Sequence, residues 1–451
     1  MKHEIPVSFA GDGSGVSELT WAQHNIWKMM VRFGGDPVMV GGTMPLEPGT
    51  TVEHIKHLLA FIVSRHHSLR TRIRSEPDGS RRQVLHSEGE VALEIIDIGA
   101  DEDPAEAGEA VRARFEESPF DIEKEWPVRM AVIRQDGVPV WFTAMYPHMA
   151  IDGYGFEALI RDLEHLDRET GEQLAPRTGI QPFQIAEQEA TAASRRRSAS
   201  AIRHWERLLS QVSTRRFNGP HPREDPQWWD LTTDSPAAYL AVTSIAARTG
   251  LDTGPILLGA WAVAMARVTG LNPSVIRILV SNRFRSDFAE SVTVLTQPSL
   301  CVVDVAGVTF DQVAVRAWRS QFTAGKHGYY DPRDLWPLLD RVNAERGEEV
   351  DLMCYFNDGR RALAVPRPGP LPTVAELAAA VPLTRYERGI KTNVPDVKAV
   401  MDLNPAPDTI NFLIRIDTAD VTPQEQEVLA REVVGILVAA AFDPDCPSGI
   451  D

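Results

Sequence analysis

Cysteine is nearly absent: Cys301, Cys354 and Cys446 are the three in 451 residues, far apart and in no metal-ligand spacing. An odd, scattered set argues against a disulfide framework or a thiolate metal site, and predicts reduced thiols in a cytoplasmic protein. Positive charge is also short. The 46 Lys and Arg are outnumbered by 63 Asp and Glu, for a net −17. That balance argues against nucleic acid and anionic membrane surfaces as partners, because both need concentrated cations. The basic exception, Arg195, Arg196 and Arg197, is short and reads as the solvated face of a helix. The longest apolar run, near Val433 to Phe442, is too short to span a bilayer, and the opening MKHEIPVSFAGDGSG lacks the apolar core of a signal peptide. A Gly-rich phosphate loop, a serine nucleophile elbow and a paired-carboxylate motif are missing as well.

What remains is 43% hydrophobic, enough for two sizeable cores. A short helix with Trp21, Ala22, Ile26, Trp27 and Met29 or Met30 follows the Asp12 to Ser17 linker, and Val52, Ile55, Leu59 and Ile62 mark a second that ends at Arg65. The adjacent His66 and His67 have no third ligand at useful spacing, so no metal is expected and they read as a solvated or hydrogen-bonded helix end. Strands are predicted around Gln83 to Leu85 and Leu93 to Ile98, then an acidic helix from Pro104 to Glu117. Val128 to Ile133 and Val140 to Tyr146 form a hairpin across Gln135, Asp136 and Gly137. The polar stretch Arg168 to Ala193 connects two halves, 1–175 and 176–451. In the second half, helices are predicted over Ser198 to Leu209 and Pro255 to Val268, with strands at Val275 to Ser281, Leu300 to Val305, Leu352 to Phe356 and Ile410 to Ile416. Thr422, Pro423 and Glu425 form a capping box that opens the last helix.

The hairpin feeds the stretch around which the chain is organised, VPVWFTAMYPHMAIDGYGF from Val138 to Phe156. Its strand is apolar almost throughout, as expected for a strand covered on both faces, and Pro147 ends it by removing a donor. His148 and Asp152 stand four apart, with Met149, Ala150 and Ile151 as apolar anchors between them, and Gly153 leaves room for close approach. An imidazole there can act as a general base near neutral pH. A surface pair or a capped helix start is the alternative. Motif reading alone therefore ends at a two-part α/β protein with one candidate histidine.

Several of these stretches, taken in order, resemble the core motifs of nonribosomal peptide synthetase condensation domains, members of the HxxxD acyltransferases. The family's HHxxxDG is matched from Pro147 to Gly153, with proline in place of the first histidine. RHxxLRT is met by Arg65, His66, Leu69, Arg70 and Thr71, and PFD by Pro119, Phe120 and Asp121. Ala22, Gln23 and Trp27 are similar to the early helix motif, His204 and Trp205 to a tyrosine–tryptophan pair, and Arg283 to the arginine that closes a strand in the second half. The resemblance implies an α/β fold of two chloramphenicol acetyltransferase-like lobes in a V-shaped pseudo-dimer, with one active site in a tunnel between them.

It also implies an acyltransferase that joins a carrier-bound acyl or aminoacyl thioester to an amine or hydroxyl, forming an amide or ester. His148 would hold the nucleophile and take its proton, and the Gly153 N–H would stabilise the oxyanion. Asp152 would pair with Arg283 and tie the turn to the second lobe; a carboxylate facing a buried guanidinium stays ionised, so its part is structural. Tyr154, Trp21, Gln297 and Pro147 are candidate tunnel residues. Gly155 stands where serine is frequent, and Gln297 where asparagine is usual. No bound cofactor is expected: the substrate would arrive on the phosphopantetheine of a carrier protein in trans, or as a coenzyme A thioester. Carriers are acidic, as is this chain, so docking would use a local basic or apolar patch, with Arg195 to Arg197 and Arg70 to Arg74 as candidates. The alternative to catalysis is a silent condensation-like domain that recruits a tailoring enzyme, for which Pro147 speaks.

Overall fold

The computed structural model describes all residues except 1, 33, 36, 37, 218, 223, 361–370 and 391–396. Contacts divide the chain into two compact units, Met1–Arg196 with Ser281–Gln297, and Arg197–Val280 with Pro298–Asp451. The first unit thus runs past the expected division at residue 175 and takes back a short segment from the second half.

In chain order the first unit contains β1 (Lys2–Ala10), β2 (Gly15–Glu18), α1 (Trp21–Arg32), β3 (Met39–Pro45), α2 (Val52–Arg65), β4 (Thr71–Ser75), β5 (Arg81–Leu85), β6 (Glu88–Ile98), α3 (Pro104–Glu117), β7 (Arg129–Gln135), β8 (Val138–Pro147), α4 (Gly153–Asp162) and α5 (Pro182–Glu189). Five strands form one sheet in the order β1-β6-β7-β8-β3, and β2-β5-β4 form a small second one. β6 and β7 run parallel, with α3 as the crossover, while β7 and β8 are an antiparallel hairpin. Asp136 and Gly137 both have positive φ, 53° and 79°, the signature of a type I′ turn. Neighbouring residues of the central strands serve opposite faces: Met130, Val132 and Ala144 pack with Leu59 and Ile62 of α2, whereas Ala131 and Met145 pack with Val111 and Phe115 of α3. This is why β8 reads as a continuous apolar run. β1 was missed in the sequence, although Ile5, Val7 and Phe9 alternate. Pro6 masks the pattern, and it is tolerated because β1 lies at the sheet edge.

The second unit holds most of α6 (Ala192–Leu209), followed by β9 (Trp228–Ser235), α7 (Pro236–Thr249), α8 (Thr253–Thr269), β10 (Ser274–Val280), a short α9 (Ser286–Ala289) that belongs to the first unit, β11 (Gln297–Val303), α10 (Phe310–Lys326), α11 (Pro332–Arg346), β12 (Cys354–Asp358), α12 (Val374–Ala380), β13 (Arg385–Ile390), β14 (Ala399–Asn404), β15 (Ile410–Asp417) and α13 (Pro423–Phe442). Its sheet runs β11-β10-β12-β14-β15-β9-β13. The middle of α8 is buried on every side, from Pro255 to Ala266, because α10 and α13 pack along it. Thr422 caps α13 through the Glu425 N–H, and the Glu425 carboxylate accepts from the Thr422 N–H at 2.7 Å, the capping box read from the sequence. Cys301 and Cys354 are buried free thiols whose pKa burial pushes up to about 12, and Cys446 is also free. No helix among the described residues is long and apolar enough to cross a membrane.

Candidate active site

β8 delivers the chain to the turn that holds His148. The His148 N–H donates to Val38 O at 2.7 Å and the Ala150 N–H to Pro147 O at 2.8 Å, closing the turn. Met149, Ala150 and Ile151 are all buried, Met149 beside Ala22 and Ile26 of α1, the other two beside α2 and the sheet. Three apolar anchors in two clusters leave the turn little freedom, so His148 is presented on a rigid support.

The His148 ring is half-buried, and its Nδ1 lies 2.9 Å from Ile151 O. A carbonyl oxygen can only accept, so Nδ1 carries a hydrogen and Nε2 is the nitrogen whose lone pair is left to take a proton. The backbone of the HxxxD loop itself therefore selects the tautomer a general base needs.

Asp152 does something different. It caps α4, its Oδ1 accepting from the Gly155 N–H at 2.7 Å and facing Arg283 Nη2 at 2.9 Å. Its Oδ2 accepts from Arg283 Nη1 at 3.0 Å, from the Leu295 and Thr296 N–H groups at 2.8 Å each, and from Thr296 Oγ1 at 2.7 Å. Burial would raise its pKa, but the Arg283 charge and these hydrogen bonds outweigh that and hold it below the usual carboxylate range. Asp152 is thus a saturated, buried anion, and none of its described hydrogen bonds reaches His148. Arg283 also donates to Thr293 O at 2.8 Å and lies 5.9 Å from the Tyr154 ring. Although it follows β10, Arg283 belongs with Ser281–Gln297 to the first unit, so the ion pair closes inside that unit. The expected Asp152–Arg283 pair is thus present, made by a segment from the second half of the sequence whose contacts group it with the first unit.

Helix α4 is held at its other end as well. Asp162 accepts from Arg65 Nη2 at 2.9 Å and lies 3.0 Å from His66 Nε2. Burial alone would raise the Asp162 pKa, yet His66 and Arg65 depress it. His66 and His67 are both buried rather than solvated, and burial lowers both pKa values, that of His67 to about 4. Gly153 sits at the first helical position, where a backbone N–H has no intrahelical acceptor.

The remaining sequence candidates scatter. Trp21 is 1% exposed, a core position, and its backbone N–H donates to Glu189 Oε2 at 2.8 Å. Gln297 and Pro147 are buried, and Tyr154 is half-buried. Arg195, Arg196 and Arg197 are exposed on α6, as expected, but Arg70 is not a surface cation: it is 0% exposed and donates to Gly13 O at 3.2 Å and His86 O at 2.6 Å. A guanidinium that satisfies loop carbonyls in the interior offers nothing to a docking partner. Sequence reading missed Thr293, Leu295 and Thr296, which act largely through backbone groups and so leave no side-chain signature.

A family model described as "Condensation domain" matches residues 15–358. Among curated proteins, the enniatin synthase of Fusarium equiseti is 26% identical over 324 residues, 68% of this chain and 10% of that protein. The chain therefore spans about a tenth of the length of that relative. Among solved structures, SgcC5 of Streptomyces globisporus superposes with a TM-score of 0.71 at 19% identity, over 95% of this chain and 100% of the other. The X-domain from teicoplanin biosynthesis gives 0.73 at 17% identity, over 98% of both. At these identities the structures establish the mixed α/β fold, and the family match adds the lineage. With a His148 turn, a saturated Asp152 cap and a match over most of its length, the chain belongs to the condensation-domain family of nonribosomal peptide synthesis.

Proposed function

We propose that this chain is an acyltransferase that joins a carrier-bound acyl or aminoacyl thioester to an amine or hydroxyl acceptor, forming an amide or ester in a peptide-type natural-product pathway. The observation that carries the proposal is the Nδ1 contact of His148 with Ile151 O, which leaves Nε2 as the acceptor nitrogen. A thioester is already activated, so alignment and proton management are the work left to the protein. The acceptor nitrogen or oxygen attacks the thioester carbon as its proton passes to His148 Nε2. The Gly153 N–H supports the oxyanion. Collapse expels the thiolate, which takes the proton back from His148. Asp152 and Arg283 hold the turn without exchanging protons.

The second reading, a silent domain that recruits a partner, draws on Pro147 in place of the first motif histidine and on the likeness to an X-domain. One assay separates them: intact-protein mass spectrometry of an acyl-loaded carrier with a panel of amines and alcohols, comparing wild type with His148→Ala. The acyltransferase reading expects acceptor-dependent unloading that falls to background in the variant. Carrier binding with equal unloading by both proteins, or by neither, would select the recruiting role. Turnover of free acyl-coenzyme A without a carrier would identify a coenzyme A enzyme instead.

A further inference from the structure

On the first unit, between α3, the loop after it and β6, lies a groove of about 510 Å³ that the proposed reaction does not use. That is within the size range of small-molecule sites. Its cations are mostly spoken for. Arg114 faces Glu94, Arg129 reaches Glu125 Oε2 at 3.0 Å, and Lys124 lies 2.8 Å from Asp121; of the groove's acids, Glu4 faces Lys2 at 3.8 Å. Arg72 is different. Its side chain makes no hydrogen bond or ion pair among the described residues, and its Nε is buried without an acceptor. Burial lowers its pKa, with Asp121 as the one opposing charge.

The guanidinium lies 3.7 Å over the Trp126 ring, so one of its faces is covered; with Nε buried, its terminal Nη groups are what a ligand can meet. Trp126 is itself immobilised: its Nε1 donates to Glu90 O at 2.6 Å, and Phe9 and His86 pack edge-on at 4.9 and 5.2 Å. Phe115 adds a second aromatic to the lining. A rigid aromatic wall beside a half-buried guanidinium is a recognition pair for a flat body that carries an anion, since the two terminal Nη groups fit a carboxylate bidentately.

We propose that this groove binds an aromatic carboxylate, with the carboxylate on Arg72 and the ring system against Trp126 and Phe115. The test is isothermal titration calorimetry with indole-3-acetate at low salt, using indole-3-acetamide as the uncharged control. Wild type should bind the acid in preference to the amide. Arg72→Met, which keeps the apolar stem, should weaken binding roughly tenfold or more, in line with a lost charge-assisted bond. Arg74→Met, which removes an exposed arginine already paired with Glu76, should bind as wild type does. Absence of binding, equal affinity for the amide, or an unchanged Arg72→Met would overturn the assignment. Should Arg72→Met fail to fold, crystals of wild type soaked with indole-3-acetate decide: density on Arg72 sustains the site, and density elsewhere or none removes it.

Discussion

Replacing Asp152 by Asn tests whether that carboxylate is a structural anion. Each of its oxygens faces only donors: Gly155 N–H and Arg283 Nη2 on one side, and Arg283 Nη1, two backbone N–H groups and a threonine hydroxyl on the other. Whichever way an amide is turned, its NH₂ confronts donors, and Arg283, at 7% side-chain exposure, is left without a full counter-charge. Breaking such a buried pair costs about 3–5 kcal/mol. Guanidinium unfolding at pH 7 should report that loss, and in a double-mutant cycle with Arg283→Met the pair should couple by at least ~1 kcal/mol. The pH dependence has a definite sign. The folded pKa lies below the unfolded value of 3.8, so the stabilisation is full above that value and is lost as pH falls through the depressed folded pKa. The gap between wild type and Asp152→Asn should therefore close in acid. A variant within ~1 kcal/mol of wild type at pH 7, or additive single effects, would refute the assignment of Asp152 as the anchor of the turn.

Other expectations follow from the same contacts. A Cβ at Gly155 would sit 2.5 Å from Thr293 O, so Gly155→Ala should destabilise by about 1–3 kcal/mol, read by calorimetry, whereas Gly435, whose Cβ would meet nothing among the described residues within 4 Å, should accept alanine. Leu257 is fully buried on α8, and Leu257→Ala should cost about 2–5 kcal/mol in a denaturant titration. His204 and His327 stack at 4.3 Å, and Arg207 donates to His204 Nδ1 at 2.8 Å. Burial, then the His327 and Arg207 charges, lower the His204 pKa to about 4, so stability should fall as pH drops from the unfolded value of 6.5 towards 4. His204→Gln should flatten that part of a melting-temperature profile; an unchanged slope would count against it.

Local chemistry was legible in the sequence because it depends on short spacings. The Asp-Gly hairpin, the capping box at Thr422, the α8 helix and the apolar anchors around His148 each involve residues within a few positions of one another, and each formed as the spacing required. The family resemblance likewise rests on ordered short motifs, and the match over residues 15–358 agrees with it. Edge strands such as β1 and β13 were less legible, since an edge leaves one side unpaired and admits proline, charge and glycine.

Tertiary structure alone decided which groups several of the buried charged side chains meet. Nothing near Asp152 announces that its partners are backbone groups at Leu295 and Thr296, 143 and 144 residues away, because a peptide N–H looks the same in every residue. The same holds for Arg70, a surface cation by its neighbours and a buried support for loop carbonyls by its contacts, and for Arg72, whose unmet Nε is visible only once Trp126 is folded against it. Spacing sets which residues share a face; chain closure over long separations sets which of them meet, and the cost of leaving a buried polar group unmet makes that second choice decisive for the site.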